Sequence, residues 1–155
     1  MTDGLKPLIS SLSYKPVSQT TTLDVTYYTA KAGVASINNE EDAAVSAQHC
    51  IADLSSNGAL DAHQGFLVSC YSQHPLVPAL RRVLVERKKR DAAVTGIFEA
   101  SVAACLQSID IDEKFGIVST GKQWEGILDD AVASLLGSNT SSRYAGTETT
   151  ALNAV

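Results

Sequence analysis

A thiol, a phenol and a hydroxyl follow one another at Cys70, Tyr71 and Ser72, directly after the apolar run Gly65 to Ser69 and shortly before His74 and Pro75. A thiol can act as a nucleophile, or carry a proton to and from carbon when its pKa lies near the working pH. Gly65 to Ser69 reads as a strand buried on both faces, and Pro75 suits the first turn of a helix, where a missing N–H costs nothing. That places Cys70 in a strand-to-helix turn. Ligands collect beyond the carboxyl ends of strands in α/β sheets, and the positive end of a helix favours a thiolate nearby. The backbone N–H groups of Tyr71 and Ser72, just ahead of that helix, suit a substrate carboxylate or imide oxygen.

Ser119, Thr120 and Gly121 repeat this arrangement after a second apolar run, Phe115 to Ser119, and form a second candidate binding turn. The other chemically capable residues have plainer readings. His74 beside Cys70 suggests a Cys-His nucleophile, but no orienting carboxylate is placed by the sequence, so a structural imidazole is expected. Ser72 or His74 also suits a helix cap. Glu99 reads as an acidic residue stabilising a helix start, and Arg87 to Arg90 as a basic run complementing a helix end. Cys50 and Cys105 fall in mid-helix among alanines and leucines and are expected to be buried, inert thiols.

The elements that must hold these residues alternate. Leu5 to Leu12 reads as a short helix, and Leu23 to Thr29, rich in β-branched and aromatic residues, as a strand. A helix opens at Glu40, capped by Asn38 or Asn39, and continues through Leu54 until Gly58 ends it. Further helices are expected over Leu76 to Lys89, Phe98 to Ile109 and Gln123 to Leu136, and further strands over Ala92 to Thr95 and Phe115 to Ser119. This succession predicts an α/β fold, a parallel sheet flanked by helices. Both ends read as unfinished, because the chain enters on a helix and the polar tail Ser138 to Val155 shows no closing strand or helix.

The chain has 155 residues, of which 45% are hydrophobic and 19% charged, as in an ordinary globular protein. Its net charge of -5 gives no footprint for nucleic acid. The apolar runs are far shorter than the roughly 20 residues that span a bilayer, and the N-terminus lacks a signal-peptide layout, so a cytoplasmic protein without membrane contact is expected. Three cysteines at irregular spacing support neither a disulfide framework nor a metal site. An exposed amphipathic helix offers a face for a possible homo-oligomer.

The stretches Gly65 to Val77 and Val94 to Ser101 resemble the Asp/Glu/hydantoin racemase family, particularly its fungal hydantoin-racemase-like branch. Phe115 to Gly121 with Trp124, and Tyr144 to Ala154, continue the likeness in the same order, and Thr147, Glu148 and Thr149 match a family loop. The resemblance implies a two-domain α/β protein in which two cysteines flank the substrate's stereocentre, acting without a cofactor on a small amino acid or hydantoin-like ring. Cys70 matches the first of that pair. The family's opening strand with its Asn-Pro-Asn motif has no counterpart here, nor does the segment with the second cysteine. The expectation is thus an incomplete two-domain fold: residues 1–110 as an N-terminal domain lacking its first strand, and 111–155 as the start of a second. Cys70 is expected to be the catalytic acid/base, and Tyr71, Ser72, Ser119, Thr120 and Gly121 to bind substrate, in a chain inactive as a racemase by itself. Two other outcomes are a single-cysteine decarboxylase or isomerase, which chiral product analysis separates, and a non-catalytic ligand-binding or regulatory remnant.

Overall fold

Asn39 starts the first long helix by accepting the backbone N–H of Asp42 at 2.8 Å, and Glu40, Glu41 and Asp42 bring negative charge to its positive end. In the computed structural model, which describes residues 2–11, 23–138 and 141–150, this is α2 (Glu40–Ser56). It follows α1 (Thr2–Ser11) and precedes α3 (Ala59–Ala62) and β1 (Gly65–Val68). The chain continues through α4 (Leu76–Glu86), β2 (Ala93–Gly96), α5 (Ile97–Ser108), β3 (Phe115–Ser119), α6 (Trp124–Leu136) and β4 (Tyr144–Thr149). Among the described residues no helix is long and apolar enough to cross a membrane.

The expected parallel α/β arrangement is present as two parallel pairs. β1 lies on β2 in the register Gly65 to Ala93 through Val68 to Gly96. β3 lies on β4, from Phe115 against Tyr144 to Ser119 against Thr149, with a register shift between Phe115 and Ile117. Gly146 stands at that irregularity with φ 112°, a backbone conformation that strongly favours glycine. Each pair has its own apolar core. Ala47, Cys50 and Leu54 of α2 meet Leu60, Val68, Leu76, Leu80, Leu84 and Val94 in the first. Phe98 and Val102 of α5 meet Phe115, Ile117, Leu128 and Val132 in the second.

Several expectations need correction. Leu23 to Thr29 forms no strand; β1 and β2 pair with each other, and without a neighbouring ladder β-propensity alone does not make a strand. Tyr28 and Ala30 instead pack on the first core, and Lys31 pairs with Asp53 of α2 at 2.9 Å. The tail carries a strand after all, β4, while residues 139–140 and 151–155 lie outside the described ones. Its polar residues hid it, because Thr147 is buried by bonding to a carboxylate on α6 rather than by apolar packing. Nor are β1 and β3 buried on both faces: Leu67 is 60% and Val118 77% exposed. Among the described residues, helices cover one side of each pair and leave Leu67 and Val118 open on the other.

α4 ends at Glu86, so the basic run after it serves other elements. Arg87 donates to the Ser55 carbonyl of α2 and pairs with Asp61, both at 2.9 Å. Lys89 Nζ donates to the carbonyls of Leu60, Asp61 and His63 at 2.7–3.1 Å. These cations neutralise the carbonyl ends of α2 and α3, not that of α4.

Candidate functional site

β1 ends at Val68, and two residues later the half-buried Cys70 sits in the turn leading to α4. Its Sγ lies 3.5 Å from Oγ of the buried Ser72. The Ser72 carbonyl accepts the His74 N–H at 2.8 Å, which closes the turn. His74 is 3% exposed, and its Nδ1 accepts the N–H of Leu76, the first residue of α4, at 3.2 Å. Nδ1 therefore carries no proton, and the neutral imidazole is protonated on Nε2. Burial pulls the His74 pKa below its ordinary value, which agrees with a neutral capping ring rather than a partner for the thiol.

Among the described residues the N–H groups of Tyr71, Ser72 and Gln73 have no acceptor. They stand at the N-terminus of an 11-residue helix whose first turn holds no acidic side chain. An oxyanion there meets donors and a favourable dipole.

Tyr71 leads away from the turn toward the neighbouring unit. Its ring stands edge-on to Phe98 of the second core, with centroids 5.9 Å apart at 86°. Its hydroxyl is 3.1 Å from Ser101 Oγ, and Ser101 in turn donates to the Phe98 carbonyl at 2.8 Å. β2 runs beside β1, so its terminal Gly96 adjoins this edge. A Cβ on Gly96 would collide with the Glu99 carboxylate and approach Val77 Cγ2 to 3.3 Å. Glu99 Oε2 is buried without a hydrogen-bond partner among the described residues. The helix-start expectation for Glu99 thus holds in position, but its carboxylate caps no N–H. Sequence reasoning missed Gly96 and Ser101; the available signal was that β2 and α5 form a third strand-to-helix junction.

The second turn is committed differently. The Ser119 carbonyl accepts Thr150 N–H at 3.1 Å, and the Gly121 carbonyl accepts Trp124 N–H at 3.0 Å. The Gln123 carboxamide covers Gly121 so closely that a Cβ there would strike it, while Thr120 is exposed. Beyond the turn, Asp129 Oδ1 accepts both the Tyr144 hydroxyl at 2.8 Å and Thr147 N–H at 2.9 Å. Burial first, and then the Asp129 carboxylate against the opposing hydrogen bond to Thr147, sets the Tyr144 phenol at about 12. Thr149 donates to Glu125 at 2.6 Å. Among the described residues no hydrogen bond joins Ser119, Thr120 or Gly121 to the Cys70 turn.

The other thiols lie elsewhere: Cys50 is buried in the first core, and Cys105 is half-buried against the second, less enclosed than expected because Ala103 and Ala104 face solvent. A cavity of about 320 Å³ lies between Lys31, His49, Asp53 and Ser56, and one of about 240 Å³ beside Asp129 and Tyr144; the Cys70 turn lines neither. Among the described residues no three His, Cys, Asp or Glu side chains cluster as metal ligands.

A family model described as Asp/Glu/Hydantoin racemase matches residues 12–155. Protein DCG1 of Saccharomyces cerevisiae is 31% identical over 70 residues, 45% of this chain and 27% of that protein. Uncharacterized protein C1F7.10 of Schizosaccharomyces pombe is 42% identical over 67 residues, 43% of this chain and 24% of that protein. The matched segment thus spans about a quarter of the length of these curated relatives. No solved structure matches the chain significantly.

Proposed function

The chain belongs to the Asp/Glu/hydantoin racemase family, and from that premise we propose that Cys70 moves a proton on and off the carbon beside a carbonyl in a small amino acid or hydantoin-type ring. The observation that supports this reading is a half-buried thiol at the carboxyl end of β1, in a turn whose N–H groups have no acceptor. The thiolate takes the proton, the electron pair moves into the carbonyl, and the turn's N–H groups hold the oxygen as its charge grows. Returning the proton from the thiol regenerates both partners without a cofactor. Tyr71 and Ser72 are proposed to bind the substrate from this side, and Ser119, Thr120 and Gly121 from the other.

Racemisation needs a second acid on the opposite face. Cys50 and Cys105 lie in separate cores, which favours a narrower outcome for this chain alone: proton exchange at one face with retained configuration. In D2O, 5-methylhydantoin, aspartate and glutamate are incubated with the purified chain and followed by NMR and chiral chromatography. Deuterium should enter one of them without loss of optical purity, and Cys70→Ser should abolish it. Racemisation at enzymatic rates would show that a second thiol is not required. Binding without any exchange would favour a ligand-binding protein instead.

A further inference from the structure

We infer that Asp129 holds a second ligand, a small organic cation with a primary ammonium and no carboxylate, in the cavity of about 240 Å³ beside α6 and β4. The two oxygens of its carboxylate are used differently. Oδ1 accepts the Tyr144 hydroxyl and the Thr147 N–H, which follows the register shift in β4. With its one proton on Oδ1, the Tyr144 oxygen accepts from Thr147 Oγ1, so the structural donors converge on the Oδ1 side. Oδ2 accepts no hydrogen bond among the described residues. It is also absent from the buried polar atoms left without a partner among them, which are Tyr28 Oη, Asp53 Oδ2 and Glu99 Oε2. Oδ2 is therefore open, and the cavity is the space that Asp129 lines.

Two structural bonds do not call for a charge, since the single oxygen of an asparagine amide accepts both. Yet no cation stands beside Asp129 among the described residues. The ion pairs there join Lys31 to Asp53 and Arg87 to Asp61, and Arg143, just before β4, gives its guanidinium to the carbonyls of Glu113 and Ile109. α6 carries Glu125, Asp129 and Asp130 and no basic residue. The cavity reaches the carbonyl end of this 13-residue helix at Ala133 and Ser138, where the dipole also favours positive charge. The lining sets the rest of the ligand. Val132, Ala133 and Ala145 give an apolar part that suits a short carbon chain better than a bare metal ion, and among the described residues no Lys, Arg or His lines the cavity to receive a carboxylate. The occupant is thus an amine and not an amino acid. It differs in this from the molecule proposed at Cys70, whose turn does not line the cavity.

Amide shifts of Gly146 and Thr147 in the full chain are followed by NMR as ethylammonium chloride or potassium chloride replaces sodium chloride, or as ethanol or alanine is added. Ethylammonium should saturate these shifts at a concentration at least about tenfold below any of the others, the range of a hydrogen bond to a charged group. Asp129→Asn keeps an oxygen for Tyr144 and Thr147 and should weaken ethylammonium at least about tenfold. Ala133→Leu keeps the carboxylate, fills the cavity and should weaken it likewise. Circular dichroism verifies folding, and Ala133→Leu decides if Asp129→Asn does not fold. The alkylation rate of Cys70 by iodoacetamide should be the same with and without ethylammonium. Absence of a saturable shift in the unsubstituted chain, equal saturation by potassium, ethanol or alanine, or unchanged affinity in either folded variant overturns the assignment. Protection of Cys70 by ethylammonium overturns it too, and moves the amine to the first turn.

Discussion

The turns after β1 and β3 share an architecture and differ in what their polar groups are doing. After β1, three backbone N–H groups have no acceptor among the described residues, the thiol meets only the Ser72 hydroxyl at 3.5 Å, and a buried imidazole begins the helix on their behalf. After β3, the Ser119 carbonyl helps hold the chain beyond β4, Gln123 covers the glycine, and carboxylates of α6 bind Tyr144, Thr147 and Thr149. A strand-to-helix turn becomes a candidate site where its donors and acceptors are left over after the fold is satisfied. Position alone does not distinguish the two.

The strongest way to break this contrast is Asp129→Ala. It removes the acceptor of Tyr144 and of the N–H of Thr147, which is 6% exposed, and should lower stability by about 2–3 kcal/mol in urea denaturation. The Cys70 alkylation rate of the folded variant should stay within about twofold of the parent. A larger change in that rate would show that the two turns act as one unit.

Acid should loosen the first turn specifically. The His74 pKa is depressed in the folded state, so the unfolded chain binds the proton more readily. The stabilisation is complete above the unfolded value of about 6.5 and declines as pH falls below it. Thermal melts from pH 7.5 to 5.5 should show a loss of about 1 kcal/mol, the worth of the Leu76 N–H bond, that His74→Asn suppresses by supplying an acceptor that does not titrate. All three histidines precede residue 75, so a pH-insensitive parent would contradict the assignment of the imidazole rather than implicate the second turn.

The smallest effect sharpens the contrast most directly. Ser72→Ala removes the hydroxyl 3.5 Å from the thiol and should change the alkylation rate of Cys70 about two- to fivefold, whereas Ser119→Ala should leave it unchanged. Equal effects would join the two turns across a shared pocket, as the racemase-type proposal for Ser119, Thr120 and Gly121 requires in the ligand-bound state.

The first turn was legible in sequence because its cues are local: an apolar run ending at Cys70, a proline at 75, an amphipathic helix after it. The same cues located β2, β3 and every helix but α3, whose four residues are too few to show a period. β4 was not legible, since Thr147 and Thr149 are held by carboxylates about twenty residues earlier, a through-space pairing that hydrophobic periodicity cannot register. Leu23 to Thr29 failed for the opposite reason: its residue types favour a strand, but a strand also needs a partner. Gly96 and Ser101 escaped because they reach the Cys70 edge from the next β-α unit, about thirty residues on.

Lys89 holds three carbonyls at the end of α3, a helix of four residues that lacks the length to persist alone. Such a helix and the turn that carries the lysine can only open together. In hydrogen-exchange terms they form one cooperative opening unit, in which the amides of Asp61 and Ala62, bonded to the Gly58 carbonyl, and of Lys89, bonded to that of Leu84, lose protection at a common rate although 27 positions separate Ala62 from Lys89.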